Sequence, residues 1–527
     1  MDEPLSRDIM LYQVGNESEN PNESQLLQMT LRLDTEAADL NQFLVETLNQ
    51  ELASDEILQN LTLQPHPVVR LPKKIILIDA SNDNLPLGAE TERVLNYHRQ
   101  KKGWTFKVVR INSREELRSE TSEFPQETLI LSQCVNKKTY HLGLAKELMQ
   151  QSVIIVPGLL TAPGGILSDK GKTYRLLSDD GQDWRVVSPY REIQAKNKSE
   201  HLLASEILDT ANLMHREWGV ADFYVKPLEG GGGLGGFRMT KVDDCFVISD
   251  LSKVTGEQET EIKPVYLNID PADGAKIREL AWIFRLFESD ANMKKAYLWV
   301  TLDTLRKRYA AETDLEALRS HLHQCNQRTS EILQSQKISY RDASLKIGDA
   351  IARFNQKYPD TPYQPLVNKH IDFGTWGLRI HLRLTQRGIQ VETMYGRIFQ
   401  LALTNDGVGY VGSDNISNKQ TGKLEPIRLR PVDKIMLDAI GGLPQLRKSF
   451  FNAAFAFYQL IKTLPRAQQD IIPLRVQMDM APVSAIVCEG NADTARGLVL
   501  AQRWNSFIRN NLEWFDDALG YYSRMKR

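Results

Sequence analysis

The sequence predicts an α/β unit built on an open parallel sheet, followed by an α+β unit that a helical insertion interrupts. Three observations carry that reading. Between residues 73 and 157, short apolar runs alternate with helically spaced segments, as in a doubly wound sheet. At 223–238, two strand-like stretches flank a glycine-rich turn. At 378–384, apolar and polar residues alternate strictly, the period of a strand with one face on a core.

The bounds are those of an ordinary globular chain. Its 527 residues suit roughly two to four domains. Apolar residues make up 42% and charged residues 25%, so sizeable cores are affordable. A net charge of −2 makes no electrostatic case for nucleic acid or an anionic membrane as partner. No run of about 18 apolar residues exists to span a bilayer. The start, Met1-Asp2-Glu3-Pro4, lacks the basic-then-apolar pattern of a signal peptide. Cys134, Cys245, Cys325 and Cys488 are widely spaced and form no metal-type pair, which suits a reduced, cytoplasmic compartment.

Residues 1–72 are polar. Leu26, Leu27, Leu31, Leu40, Phe43 and Leu44 give an intermittent helical face, and 16–24 reads as disordered. This is an N-terminal helical extension without visible chemistry. Residues 73–165 form the α/β domain. Lys74 to Asp79 is a continuous apolar run closed by an acid, as in a strand buried on both faces. Phe106 to Ile111, Thr128 to Leu131 and Val153 to Pro157 are the further strands. Between them run helices over 90–102 and 140–151, and one capped by Ser113 with Glu116 three residues on. No G-x-G-x-x-G follows the first strand, so no dinucleotide is indicated.

Residues 166–270 carry the first chemistry. Gly164 to Thr173 nearly matches a P-loop, but Ile166 occupies the position of its first glycine. An Asp169-Lys170 pair opening a helix, with Ser168 or Asp169 as N-cap, describes it better. A short strand at 184–189 and a helix over 199–218 follow. From Gly230 to Gly236, six of seven residues are glycine, and the strand before them ends in Lys226-Pro227. That many glycines are expensive to order in a merely structural hairpin. Exposed backbone N–H groups suit an anion, foremost a polyphosphate, and Lys226 adds a point charge beside them. The plain alternative is a flexible linker.

Residues 271–360 are charged, helical in pattern and free of glycine clusters, and read as the insertion. Its role is open between a lid, the contact of a homodimer and a platform for a partner. Residues 361–527 return to α+β. In Leu378 to Leu384, Ile380, Leu382 and Leu384 face a core, while Arg379, His381 and Arg383 face either solvent or an anion. A strand from 389 to 397 returns after a turn, 415–418 reads as a polar loop, and 434–464 as a helix. Near the end, Asp479 and Glu489-Gly490-Asn491 close apolar strands. Carboxylates and an amide oxygen are the hard ligands that Mg²⁺ selects, with phosphate oxygens completing the shell. Read alone, they are equally well loop and cap residues.

The order of these pieces resembles the ATP-grasp superfamily, in particular its glutathione-synthetase-like carboxylate–amine ligases. The similarity covers about 73–270 and 362–510 and rests on short motifs in sequence. They are SDKGKTYRLL (168–177), FYVKPLEGGGGLGGFRM (223–239), VNKHI (367–371), GLRIHLRL (377–384) with VETMYGRI (391–398), DNISN (414–418), and RVQMDM (475–480) with VCEGN (487–491). The resemblance implies a two-subdomain ATP-grasp fold, with the small subdomain in 166–270 and the C-terminal one in 361–527. It implies that Lys170 (or Lys172) and Lys226 contact the ATP phosphates under a lid containing Gly231, Gly232, Gly233 and Gly235. Asn368, Lys369 and Ile371 would form the adenine-side hinge. Asp479, Glu489 and Asn491 would hold two Mg²⁺ ions. Arg397 would face the transferred phosphoryl group, with Arg379 and Arg475 as helpers. The implied reaction phosphorylates a carboxylate, and an amine or thiol then attacks the acylphosphate, leaving ADP. The implied substrates are small: an amino acid or a short peptide. A nucleotide-binding module of the same fold without turnover is the alternative.

Overall fold

The computed structural model describes residues 39–78, 87–111, 113–132, 140–158, 165–178, 186–228, 235–249, 251–255, 265–266, 334–359, 361–371, 376–398, 440–491 and 504–526, with residue 331, short strands between 401 and 432, and 436–437. Among them, no helix is long and apolar enough to cross a membrane.

The chain opens with α1 (39–52) and α2 (Glu56–Gln59). These are no loose extension. Leu44, Leu48, Leu52, Leu58 and Leu61 are buried in the largest apolar core of the molecule. Of the apolar residues noticed in the sequence, Leu40 and Leu44 lie on this inner face, Phe43 is exposed, and Leu26, Leu27 and Leu31 lie outside the described residues.

The first sheet holds β1 (Lys74–Ile78), α3 (Leu87–Lys102), β2 (Lys107–Ile111), α4 (Arg114–Ser122), β3 (Thr128–Leu131), α5 (Leu142–Gln150) and β4 (Ile154–Val156). Its order is β2-β1-β3-β4, parallel throughout. Ile75 and Leu77 enter the large core while Ile76 and Ile78 enter a second one. Burial on both faces is why the run reads as continuous rather than alternating. Ser113 caps α4 as expected, its hydroxyl accepting from the Glu116 amide at 3.1 Å.

The second sheet follows α6 (Lys170–Ser178). It comprises β5 (Tyr190–Glu192), then α7 (Glu200–Trp218), β6 (Asp222–Pro227), β7 (Phe237–Val242), β8 (Cys245–Ser249), α8 (Leu251–Thr255), β9 (Val265–Tyr266), α9 (Tyr340–Lys357) and β10 (Pro365–Lys369). Its order is β5-β10-β6-β7-β8, with antiparallel pairs throughout. β9 lies outside it. The strand expected at 184–189 forms instead at Tyr190–Glu192, and 179–185 lie outside the described residues. Phe223, Val225 and Val367 face a core shared with Ile207 and Ala211 of α7 and Ile347 and Ile351 of α9. Tyr224 and Lys226 take the opposite face by alternation. Of the expected insertion, 271–330 lie outside the described residues, and α9 lies in its C-terminal part.

The third sheet begins with β11 (Trp376–Thr385) and β12 (Gly388–Ile398). After them come β13 (Leu401–Thr404), β14 (Gly407–Tyr410), β15 (Asn415–Ser417), β16 (Leu424–Pro426) and β17 (Arg428–Arg430). The chain ends with α10 (Leu443–Lys462), α11 (Arg466–Gln469), β18 (Arg475–Ala481), β19 (Ile486–Asn491) and α12 (Trp504–Met525). The sheet order is β17-β12-β11-β18-β19, and β13-β14-β9 make a small sheet of their own. Where a polar loop was expected, β15 pairs with β16. Leu378, Ile380, Leu382, Val476 and Met478 face Phe450, Ala453 and Phe457 of α10.

The other face of this sheet is polar yet also buried, so of the two environments left open for it the solvated one does not hold. At its far end, Arg475 is 1% exposed and Glu392 side-chain exposure is 2%. Glu392 reaches that face through a β-bulge. Thr393 stands opposite His381 and Val391 opposite Leu382, so Glu392 is the extra residue. Its carboxylate lies beside Arg475 and Arg383 and not in the apolar layer. The amide of Asn49 on α1 pairs both ways with the backbone of Val391, at 2.8 and 2.9 Å, beside that bulge. The N-terminal helix therefore satisfies a strand edge that the irregular ladder leaves open.

Candidate active site between the two antiparallel sheets

Helix α6 positions the site. Asp169 caps it, Oδ1 accepting from the Lys172 amide at 3.0 Å. The Lys170 amide donates to the Leu228 carbonyl at 3.0 Å, which fixes the helix start against the end of β6. Gly171 makes that approach close: a Cβ there would stand 2.8 Å from Glu192 and from Leu228 side-chain atoms. Lys170 and Tyr174 are four residues apart, so they project from one face of the helix.

That face meets both sheets. The Lys226 ammonium on β6 donates to the Tyr174 hydroxyl at 3.0 Å and lies 4.7 Å from the ring centroid. The same hydroxyl donates to the Cys488 carbonyl of β19 at 3.3 Å. Lys170, 9% exposed, places its ammonium 3.9 Å from Glu489 Oε1. Burial lowers the Lys226 pKa below the ordinary lysine value, and the Glu489 charge opposes the shift. Burial likewise raises the Tyr174 pKa, so its hydroxyl remains a neutral hydrogen-bonding group.

Asp479 stands opposite Glu489 in the β18–β19 ladder. Arg379 grips it with two bonds, Nε to Oδ1 at 2.6 Å and Nη2 to Oδ2 at 2.7 Å. Burial opposes the Arg379 charge, but Asp479 and Tyr395 outweigh it and hold the guanidinium pKa above its usual value. Beyond this pair lies His381, 0% exposed, with Nε2 3.3 Å from the Tyr395 hydroxyl and no partner on Nδ1. Burial, then the charges of Arg379 and Arg475, push its pKa well below the usual range.

A stability consequence follows from His381. The native imidazole stays neutral while the unfolded one takes a proton near pH 6.5. As pH falls below that point the unfolded state binds more protons, so unfolding free energy is expected to fall by about 1.4 kcal/mol per pH unit from this group. Urea denaturation between pH 7 and 5 measures it, and His381→Gln should flatten the decline. An equally steep fall in the variant would assign the effect elsewhere.

The donor set admits a divalent cation. Asp479 and Glu489 present carboxylates from paired positions, and Glu489 is 32% exposed. Arg379 donates to both Asp479 oxygens, so the carboxylate is held in place beside Glu489. No cluster of three or more His, Cys, Asp or Glu that could hold a metal occurs among the described residues, so a cation there would draw further oxygen ligands from other donors such as an amide, a phosphate or water.

The other expected residues fall as follows. Gly231, Gly232 and Gly233 lie outside the described residues. Gly235 has φ +76°, and a Cβ there would meet Phe354 at 3.0 Å and Pro227 at 3.1 Å, so glycine is required. Asn368 is buried opposite Tyr224, and its Oδ1 has no hydrogen-bond partner. Lys369 is exposed and Ile371 half-buried at the end of that strand. Arg397 and Asn491 belong to β12 and β19, but their side chains lie outside the described residues. Lys172 turns to Asp169 at 3.2 Å and is half exposed, so Lys170 is the helix lysine that faces the carboxylate. Arg475 must be withdrawn as a helper at the phosphoryl group: it is sealed between Glu392, Asn511 and the Trp514 ring, at the end of the face that α12 covers. Tyr174 was missed, although its spacing from Lys170 was a readable signal.

No family model matches the chain, and no curated protein matches it. The chain is similar to several solved structures. One is a D-alanine–D-alanine ligase from Bacillus anthracis, at 10% identity and TM-score 0.40, covering 87% of this chain and 99% of that one. A D-cycloserine synthetase shares 11% identity at TM-score 0.40, over 84% and 98%. N5-carboxyaminoimidazole synthetase from Staphylococcus aureus shares 10% at TM-score 0.35, over 83% and 80%. Likeness of that degree leaves the chemistry to be read from this chain's own residues.

Proposed function

We propose that the chain is an ADP-forming ligase that binds Mg²⁺–ATP between its second and third sheets and joins a small carboxylic acid to an amine or thiol. The observation that supports this reading is the convergence, through one face of α6, of the lysines on α6 and β6 with the carboxylates on β18 and β19. Phosphoryl transfer asks a protein for charge compensation and alignment more than for covalent chemistry. Lys170 and Lys226 would neutralise the triphosphate, with the glycine run 230–236 donating backbone N–H groups. Asp479 and Glu489, with Asn491, would hold Mg²⁺, which supplies further charge neutralisation when bound. Asn368, Lys369 and Ile371 would line the base. Arg397 would balance the charge on the transferred group, with Arg379 beside it. The substrate carboxylate oxygen takes the γ-phosphoryl from ATP, giving ADP and an acylphosphate. Attack by the amine or thiol on the acyl carbon then expels phosphate.

The grip of Arg379 on both Asp479 oxygens favours a second reading, a nucleotide-binding module without turnover. One experiment separates them. ATP is titrated with and without Mg²⁺, then pairs of amino acids and carboxylic acids are screened for ADP release, with products read by mass spectrometry. The ligase reading expects release only when both partners are present. Tight ATP binding with no release from any pair sinks it in favour of the second, and absent ATP binding sinks both.

A further inference from the structure

Tyr174 has no place in the reaction as proposed, yet its side chain joins α6 to both sheets at the seam. Its hydroxyl accepts from Lys226 Nζ at 3.0 Å and donates to the Cys488 carbonyl at 3.3 Å. Its ring lies under the same ammonium at 4.7 Å and packs edge-on to Tyr190 at 5.0 Å. It is buried, and so are its surroundings: Cys488 behind it, and Leu177 and Val187 in the same core.

We infer that Tyr174 is a positioning residue for Lys226, holding the ammonium at the phosphate side of the cleft and tying it to the strand that carries Glu489. This rests on the nucleotide-binding reading of the site. A lysine side chain has several rotatable bonds, and ordering it on binding costs affinity. One hydrogen bond and one ring face fix the ammonium beforehand, so the phosphate meets a charge already in place. The Tyr174 hydroxyl uses its single proton toward Cys488, which leaves only its lone pairs for Lys226. The lysine therefore keeps its remaining N–H bonds for an incoming anion.

Tyr174→Phe keeps the ring and removes both hydrogen bonds. The probe is the non-hydrolysable AMPPNP with Mg²⁺, compared with AMP, by calorimetry on the full chain. Tyr174→Phe is expected to weaken AMPPNP about tenfold, as for one lost charge-assisted bond, and to leave AMP within about twofold. In Lys226→Met the tyrosine has nothing to position, so adding Tyr174→Phe should cause no further loss. Thermal unfolding of each variant checks that the fold survives. Equal weakening of AMPPNP and AMP, or full additivity with Lys226→Met, overturns the inference and leaves the site reading standing. If Lys226→Met itself leaves AMPPNP binding unchanged, the site reading fails, and the inference with it.

Discussion

Glu392→Gln is expected to cost about 3–5 kcal/mol of unfolding free energy, the largest single-site loss in the third sheet. The carboxylate binds Arg475 through two bonds, Nε at 2.5 Å and Nη2 at 2.9 Å, and stands 3.4 Å from Arg383 Nε. Arg383 also reaches Glu513 at 2.7 Å and the Asn510 carbonyl at 3.1 Å, and Arg475 reaches Asn511 at 2.9 Å. Glutamine matches the shape but removes the charge that offsets two buried guanidinium groups. Burial already lowers the Arg475 pKa, with Glu392 working against it. Urea denaturation would measure the loss. A change under about 1 kcal/mol would show that the arginines find compensation in α12 alone. The candidate site lies at the other end of the same strands, so the loss should appear in stability before it appears in nucleotide affinity.

Lys226→Met is expected to weaken Mg²⁺–ATP binding about 10- to 100-fold, the value of a charge-assisted contact of roughly 1.5–3 kcal/mol. Methionine keeps an apolar stem against the Tyr174 ring and removes a charge that burial disfavours. The variant should therefore fold with a melting temperature at or near that of the parent. Calorimetric titration with ATP and Mg²⁺ reads the affinity directly. Unchanged affinity in a folded variant would detach the glycine-flanked lysine from any phosphate and remove the main support for a nucleotide cleft.

Much of this architecture was legible because local rules and tertiary context agree. β1, β3 and β4 are buried on both faces, and their apolar runs carry that message without help from neighbours. Ser113 and Ser199 announce their helices through side-chain caps that need only local geometry. The polar face of β11 was legible as a face but not as an environment. Arg379, His381 and Arg383 alternate identically in sequence, and only the arrival of α12 over one end separates a core ion pair from a site residue. The bulge at Glu392 leaves no periodic trace, since one extra residue shifts alternation only where the partner strand defines it. The packing of α1 was not legible because its apolar face is short and its Asn49 acts on a strand more than 300 residues away.

The closeness of Gly171 to Glu192 and Leu228 has a mechanical consequence. With no side chain to act as a cushion, α6 is seated directly against the second sheet, while its Lys170 and Tyr174 reach across to β19. A methyl group at residue 171 would press the helix away from Glu192 and Leu228 and so loosen both reaches together.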